Sequence, residues 1–246
     1  MVATGFALAK ILGKIPVRSG NSPGFIGNRI LGKYGDCAAH MMEDGATPYE
    51  IDAAIVAFGY PMGLHAMYDL AGLDIGWDNR KAAQDKHDPA ERYVEIADRI
   101  CERGWFGQKT GRGFYLYHGG ARIGTPDPEI LALIEAERAK KSIAARKFTA
   151  DEIIARYVAA MVNEACEVMR ESVALKPSDI DVTFVHGYGF PRYRGGPMKY
   201  ADSYGLGRLL GDIRRYGQDD PIFWQASPLL EELVASEQTF DDLNKG

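Results

Sequence analysis

Ser22-Pro23-Gly24-Phe25-Ile26-Gly27-Asn28-Arg29 reads as the opening of a long helix. Ser22 is a capping residue, and Pro23 suits the first helical position, where its missing N–H costs nothing. Downstream, Ile26, Ile30, Tyr34, Cys37 and Met41 recur at helical spacing, which predicts a stripe facing a core. Gly45 is expected to end the helix. A neighbouring face carries Asn28, Gly32, Gly35 and Ala39, small residues apart from the amide, so another helix or a ligand can approach the backbone. Asn28 offers a donor and an acceptor without charge. An amide in a first turn either satisfies nearby backbone groups and water or reaches a bound molecule, and the local residues leave both open.

The chain has 246 residues, 46% of them apolar and 26% charged, enough to build one large soluble domain or two of ordinary size. A net charge of −5 argues against a general nucleic-acid or anionic-membrane surface. The three cysteines are not closely paired and show no zinc-type spacing with the five histidines, so no metal site is expected. Such cysteine usage predicts a reduced compartment, taken as cytoplasmic. Lys10 and Lys14 interrupt the apolar residues of 1–17, which therefore read as neither a signal peptide nor a membrane span.

Residues 3–12 predict a short amphipathic helix, and Ile15-Pro16-Val17 a strand after the turn at Gly13. Such a pair at residues 1–20 reads as the last αβ step of a doubly wound fold, or as a free-standing arm. Thr47 and Glu50 have capping-box spacing around Pro48 and open a second helix with Ile51, Ala54, Ile55 and Phe58 inward. Asp74 is expected to cap a helix running to about Gln84, and Pro89 to Arg103 is read as another, with Tyr93, Ile96, Ala97 and Ile100 inward. The glycine-punctuated stretch Gly107-Gln108-Lys109-Thr110-Gly111-Arg112-Gly113 leads into an aromatic strand at Phe114-Tyr115-Leu116-Tyr117. Lys109 is either a solvated turn lysine or a cation set against an anion. Residues 125–148 read as a linker containing a charged helix from Glu129 to about Lys141. Thr149 and Glu152 form a second capping box, opening a helix whose stripe is Ile154, Val158, Met161, Ala165 and Val168. Shorter helices are expected from Pro177, over Leu206–Arg215 and over Pro228–Ser236.

The chain repeats itself. A shift of 129 places Cys37 on Cys166, Pro48 on Pro177, Ile51 on Ile180 and Asp52 on Asp181; small insertions then bring Gly59 and Pro61 onto Gly189 and Pro191, and Asp69 and Gly72 onto Asp202 and Gly205. Two copies can bury their faces on each other as subunits of a homodimer would, giving a pseudo-dimer within one chain. Asn28 falls on Tyr157, so the amide belongs to the first copy alone.

Pro23-Gly24-Phe25-Ile26-Gly27-Asn28-Arg29, Phe58-Gly59-Tyr60-Pro61-Met62-Gly63, Asp69-Leu70-Ala71-Gly72-Leu73-Asp74 and Gly107 to Tyr115 closely resemble the C-terminal half of L-3-hydroxyacyl-CoA dehydrogenases. The second copy, with Gly187-Tyr188-Gly189-Phe190-Pro191 and Arg194-Gly195-Gly196-Pro197-Met198, is similar to the form found in multifunctional fatty-acid β-oxidation enzymes. The resemblance spans about residues 3–215. It implies an all-α fold of two repeated helical domains, 21–124 and 149–246, packed on each other and preceded by the remnant of a Rossmann domain.

In that family a Rossmann domain holds NAD, together with a His that takes the hydroxyl proton and a Glu that orients it. The resemblance implies that Asn28 is catalytic and touches the substrate near the reacting oxygen, and that Lys109 approaches NAD. His186 stands where some relatives carry a substrate-contacting Tyr, and it either donates a hydrogen bond to substrate there or is a partly buried structural residue. This sequence has no G-x-G-x-x-G before a helix, and none of His40, His65, His87, His118 and His186 lies in the context of the family's catalytic base. The expectation is therefore the C-terminal part of an NAD-dependent dehydrogenase of 3-hydroxyacyl-CoA, which meets substrate through a Rossmann domain outside this chain, binds no NAD alone and is inactive alone. The competing reading is a helical dimerisation or assembly module without chemistry.

Overall fold

A computed structural model describes residues 1–83 and 88–245. Among them are thirteen α-helices and one two-stranded sheet. They begin with α1 (Val2–Ile11), α2 (Gly27–Asp44), α3 (Pro48–Phe58), α4 (Leu64–Ala71), α5 (Leu73–Ala83) and α6 (Ile96–Glu102). The strands β1 (Tyr115–Leu116) and β2 (Thr125–Pro126) pair antiparallel, Tyr115 opposite Pro126. Then come α7 (Pro128–Lys140), α8 (Ala150–Arg170), α9 (Pro177–Gly187), α10 (Pro197–Tyr204), α11 (Leu206–Tyr216), α12 (Pro228–Ala235) and α13 (Phe240–Leu243). The all-α expectation stands.

The duplication is visible in element lengths. Helices α3 and α9 have 11 residues each, α4 and α10 have 8, and α5 and α11 have 11. In space the chain divides into two units, one of residues 32–160 and 211–225, the other of 1–31, 161–210 and 226–246. In the first, the α2 stripe buries Tyr34, Cys37 and Met41 together with Ile51 and Ile55 of α3, Ile96 and Ile100 of α6 and Ile130 and Ile134 of α7. Tyr34 meets Tyr157 of α8 at a ring-centroid distance of 4.7 Å. Arg138 of α7 donates to the carbonyls of Met42, Glu43 and Ala46, satisfying acceptors that the end of α2 leaves open. In the second unit, Ile30, Met161, Val162, Ala165, Ile180, Phe184, Phe190, Leu230 and Phe240 are buried. There Arg29 binds Glu164 at 2.6 Å and both oxygens of Glu171 at 2.5 and 2.9 Å, a forked arrangement that fixes the start of α2 against α8.

One carboxylate closes the turn between the matched helices in each copy. Asp52 of α3 accepts from the backbone N–H groups of His65 and Ala66 at 2.9 Å each, from the Tyr115 hydroxyl at 2.9 Å, and lies 2.8 Å from His65 Nδ1. Asp181 of α9 accepts from Met198 and Lys199 N–H at 2.8 and 3.2 Å. Both serve the first turn of the next helix, where N–H groups lack partners. Glycines make the approach possible: a Cβ on Gly63 would lie 2.1 Å from Asp52 Cγ, and one on Gly196 would lie 2.3 Å from Asp181 Oδ1. A second carboxylate pair is matched in the same way. Asp69 accepts from Phe114 and Tyr115 N–H at 2.9 Å, and Asp202 accepts from Phe240 and Asp241 N–H at 2.9 and 3.0 Å.

Local details differ from the sequence reading. Helix α2 starts at Gly27, not at Pro23 after a Ser22 cap, because Gly24 (φ +78°) and Phe25 (φ +50°) are left-handed and form a turn closed by Phe25 N–H to Ser22 O. Residues 15–17 form no strand: among the described residues none pairs with them, and Pro16 lacks a ladder donor. Helix α6 begins at Ile96, leaving Pro89–Glu95 non-helical and Tyr93 exposed. Asp74 lies inside the first turn of α5, where it binds Lys109; the expected end near Gln84 falls outside the described residues. Helices α4 and α10 are too short for their periodicity to stand out. The capping box at Thr47 and Glu50 forms as expected.

The matched aspartates carry opposite pH behaviour. Burial disfavours the charge of Asp52, but the adjacent His65 ring and the N–H groups of His65 and Ala66 outweigh it and hold the carboxyl below its ordinary 3.8. Burial pushes Asp181 up to about 7, and Met198 stands where the first copy has His65. Relative to an Asp52→Asn variant, the native protein is therefore expected to lose stability as pH falls below about 4. Relative to Asp181→Asn it is expected to lose stability as pH rises from about 4 through about 7, because the folded state holds the proton longer. Urea unfolding across pH checks both signs; Asp52→Ala is expected to cost about 3 kcal/mol at neutral pH by stranding its donors.

Candidate functional site

The left-handed turn at Gly24 and Phe25 sets where the amide lies. Asn28 N–H donates to Gly24 O at 3.0 Å, so the side chain projects from the first turn of α2 and is exposed. Gly24 admits no substitute cheaply, since a Cβ there would lie 2.7 Å from Arg29 N.

The partner of Asn28 comes from the other copy. Tyr188, just past the end of α9, donates its hydroxyl to Asn28 Oδ1 at 2.7 Å. Its ring stacks on Phe184 at a centroid distance of 4.9 Å. Gly27 seats the ring, for a Cβ there would lie 2.2 Å from the hydroxyl oxygen. Burial pushes the phenol above its ordinary 10.0, so it remains a donor at neutral pH. With Oδ1 taken, Asn28 Nδ2 has no hydrogen-bond acceptor among the described residues and is directed by its own planar group. The arrangement is a neutral donor, fixed on one side and open on the other. Tyr188 is absent from the candidates read in the sequence; its nearest signals were the Gly187-Tyr188-Gly189 spacing and the glycine at position 27.

His186 is exposed in the last turn of α9, two positions before Tyr188 and in the same unit as Asn28. Lys109 belongs to the other unit. It sits on a single turn, Gln108–Thr110, between Gly107 (φ +97°) and Gly111 (φ +76°), and its Nζ is 2.5 Å from each oxygen of Asp74. The hydrogen bond from Lys109 holds the Asp74 carboxyl below its ordinary value. Lys109 is about half exposed (48%), so water screens the pair and its partner is exchangeable. The three cysteines are free and buried. Among the described residues no helix is long and apolar enough to cross a membrane.

The comparisons with known proteins agree with this architecture. The peroxisomal bifunctional enzyme of Danio rerio is 45% identical over 95% of this chain and 34% of its own length. The Homo sapiens enzyme of the same name is 39% identical over 92% of this chain and 33% of its own. The chain thus spans about a third of the length of these relatives. The crystal structure of the dehydrogenase part of multifunctional enzyme 1 from C. elegans superposes with a TM-score of 0.72 at 26% identity, covering 94% of this chain and 52% of that one. The relatives' names point to peroxisomes and overturn the cytoplasmic expectation. Cysteine usage reports on redox conditions and carries no address, which is why it misled. The family model for the 3-hydroxyacyl-CoA dehydrogenase C-terminal domain matches twice, over residues 24–117 and 153–243. Those two matches cover most of the sequence, and the chain belongs to the 3-hydroxyacyl-CoA dehydrogenase C-terminal domain family.

Proposed function

We propose that this chain is the helical part of an NAD-dependent L-3-hydroxyacyl-CoA dehydrogenase of fatty-acid β-oxidation, interconverting 3-hydroxyacyl-CoA and 3-oxoacyl-CoA. Its repeats act as domains 21–124 and 149–246, joined through 125–148, with residues 1–20 leading in from a Rossmann domain. The reading is carried by the exposed amide of Asn28, whose acceptor is occupied by Tyr188 and whose Nδ2 is left to donate.

Oxidation of a 3-hydroxyl moves the hydroxyl proton to a base and a hydride away from C3. Negative charge gathers on the oxygen between these events. A fixed neutral amide donor stabilises that charge, and having no basic site it does not compete for the proton. Asn28 takes this role. The proton acceptor and its carboxylate partner lie with the Rossmann domain, since none of the histidines of this chain stands in the context of that base. His186, exposed near the same loop, contacts the bound thioester substrate.

NAD, when bound in the complete enzyme, supplies the hydride acceptor. The described residues fit it at one point only. Lys109, held on a glycine-bounded turn and half exposed, can leave Asp74 for an anionic oxygen of the dinucleotide. A single such contact is too little to bind NAD tightly.

Purified as 246 residues, the chain is expected to show no NADH-dependent reduction of acetoacetyl-CoA; measurable turnover would overturn the dependence on a Rossmann domain. In the complete enzyme, Asn28→Ala is expected to lower kcat by about 10²–10³-fold, the scale of losing one donor to a developing oxyanion. Steady-state kinetics with unchanged unfolding behaviour check this. Lys109→Ala is expected to raise the KM for NAD severalfold while kcat changes little, the pattern of lost ground-state binding; an unchanged KM contradicts the assigned contact.

A further inference from the structure

We propose that Tyr188 is a positioning residue for the dehydrogenase reaction, acting through Asn28: its hydroxyl fixes the amide so that Nδ2 faces the reacting oxygen. The inference rests on the reading of Asn28 given above and adds the device that aims it. An exposed asparagine on the first turn of a helix has freedom about two side-chain bonds, and its amide can present either end to a ligand. Presenting Oδ1 to an oxygen that is gaining negative charge would be repulsive. The Tyr188 hydroxyl removes that choice, because a phenol kept protonated by burial donates to Oδ1 at 2.7 Å and turns Nδ2 the other way.

The geometry seats the ring and its hydroxyl together. Stacking on Phe184 at 4.9 Å holds the plane of Tyr188. Gly27, the residue before the amide, leaves room where any Cβ would strike the hydroxyl oxygen and the adjoining ring carbons at 2.2–2.3 Å. Asn28 and Tyr188 stand 160 positions apart, one in each of the two family matches. The second copy, which has Tyr157 where the first has its amide, thereby contributes to the chemistry of the first. Electrostatic preorganisation of this kind shows in kcat, since an amide already aimed need not reorient as charge develops.

The experiment is a double-mutant cycle in the complete enzyme with Tyr188→Phe, which keeps the ring on Phe184 and Gly27 and removes only the donor, and with Asn28→Ala. Tyr188→Phe is expected to lower kcat about 10-fold, the fold-change of one lost hydrogen bond, with KM for the acyl-CoA and for NAD within about twofold of wild type. In the Asn28→Ala background, Tyr188→Phe is expected to have no further effect, because the group it acts through is gone. Gly27→Ala, whose Cβ would displace the hydroxyl end of the same ring, is expected to reproduce the loss in kcat. The inference is overturned if Tyr188→Phe matches wild type while Asn28→Ala is impaired, which leaves the reading of Asn28 intact. It is equally overturned if Tyr188→Phe lowers kcat by the same factor with and without Asn28. If Asn28→Ala itself retains full kcat, the catalytic reading of the amide and the inference fall together.

Discussion

Each copy of the repeat is closed by a carboxylate that has given up water for backbone N–H groups, and the next helix of the chain takes its position from that bond. Asp52 ties α3 to the start of α4, and Asp181 ties α9 to the start of α10. Taking such a group out of solvent is costly unless its oxygens are fully engaged, so the loop between each pair of helices has little freedom. In the second copy that loop begins with Tyr188, just past the end of α9. Tyr188 is held in turn by its stack on Phe184 and by its hydroxyl bond to Asn28.

The two copies share their packing elements and differ in their polar residues. The long helices differ, 18 residues in α2 and 21 in α8, but the lengths of α3 to α5 in α9 to α11, the two glycines beside the closing aspartates and the second carboxylate pair are kept. The polar end-points are not. Asp69 secures the aromatic hairpin through Phe114 and Tyr115, whereas Asp202 secures the start of α13 through Phe240 and Asp241. The single turn that carries Lys109 lies just before the hairpin secured by Asp69. A long helix of one copy meets that of the other in each unit, by Tyr34 on Tyr157 and by Arg29 between Glu164 and Glu171.

Much of this was legible because it is local. The stripe from Ile26 to Met41 shows itself by period, the box at Thr47 and Glu50 by spacing, and the copies by their aspartates, glycines and prolines in register. What escaped is what no local spacing encodes. The left-handed Phe25, a conformation seldom adopted by an aromatic residue, moved the helix start past Ser22. The N-terminal Ile15-Pro16-Val17 has strand-like residues, but none of the described residues pairs with them, and strands exist only in pairs. Asn28 was singled out from the sequence; its partner was not, since a contact between residues 160 positions apart leaves only indirect traces, a glycine at 27 and a glycine-flanked tyrosine. Arg138 closing the end of α2 escaped for the same reason.

The central claim is that the amide of Asn28 is held open to a reacting oxygen by an acceptor bond to Tyr188. A crystal structure of the complete enzyme with a bound 3-oxoacyl-CoA tests it most directly. The account predicts Asn28 Nδ2 at about 3 Å from the 3-oxygen, with the Tyr188 hydroxyl still on Oδ1. A thioester bound with its 3-oxygen away from Asn28, or an amide turned to face it with Oδ1, would contradict it.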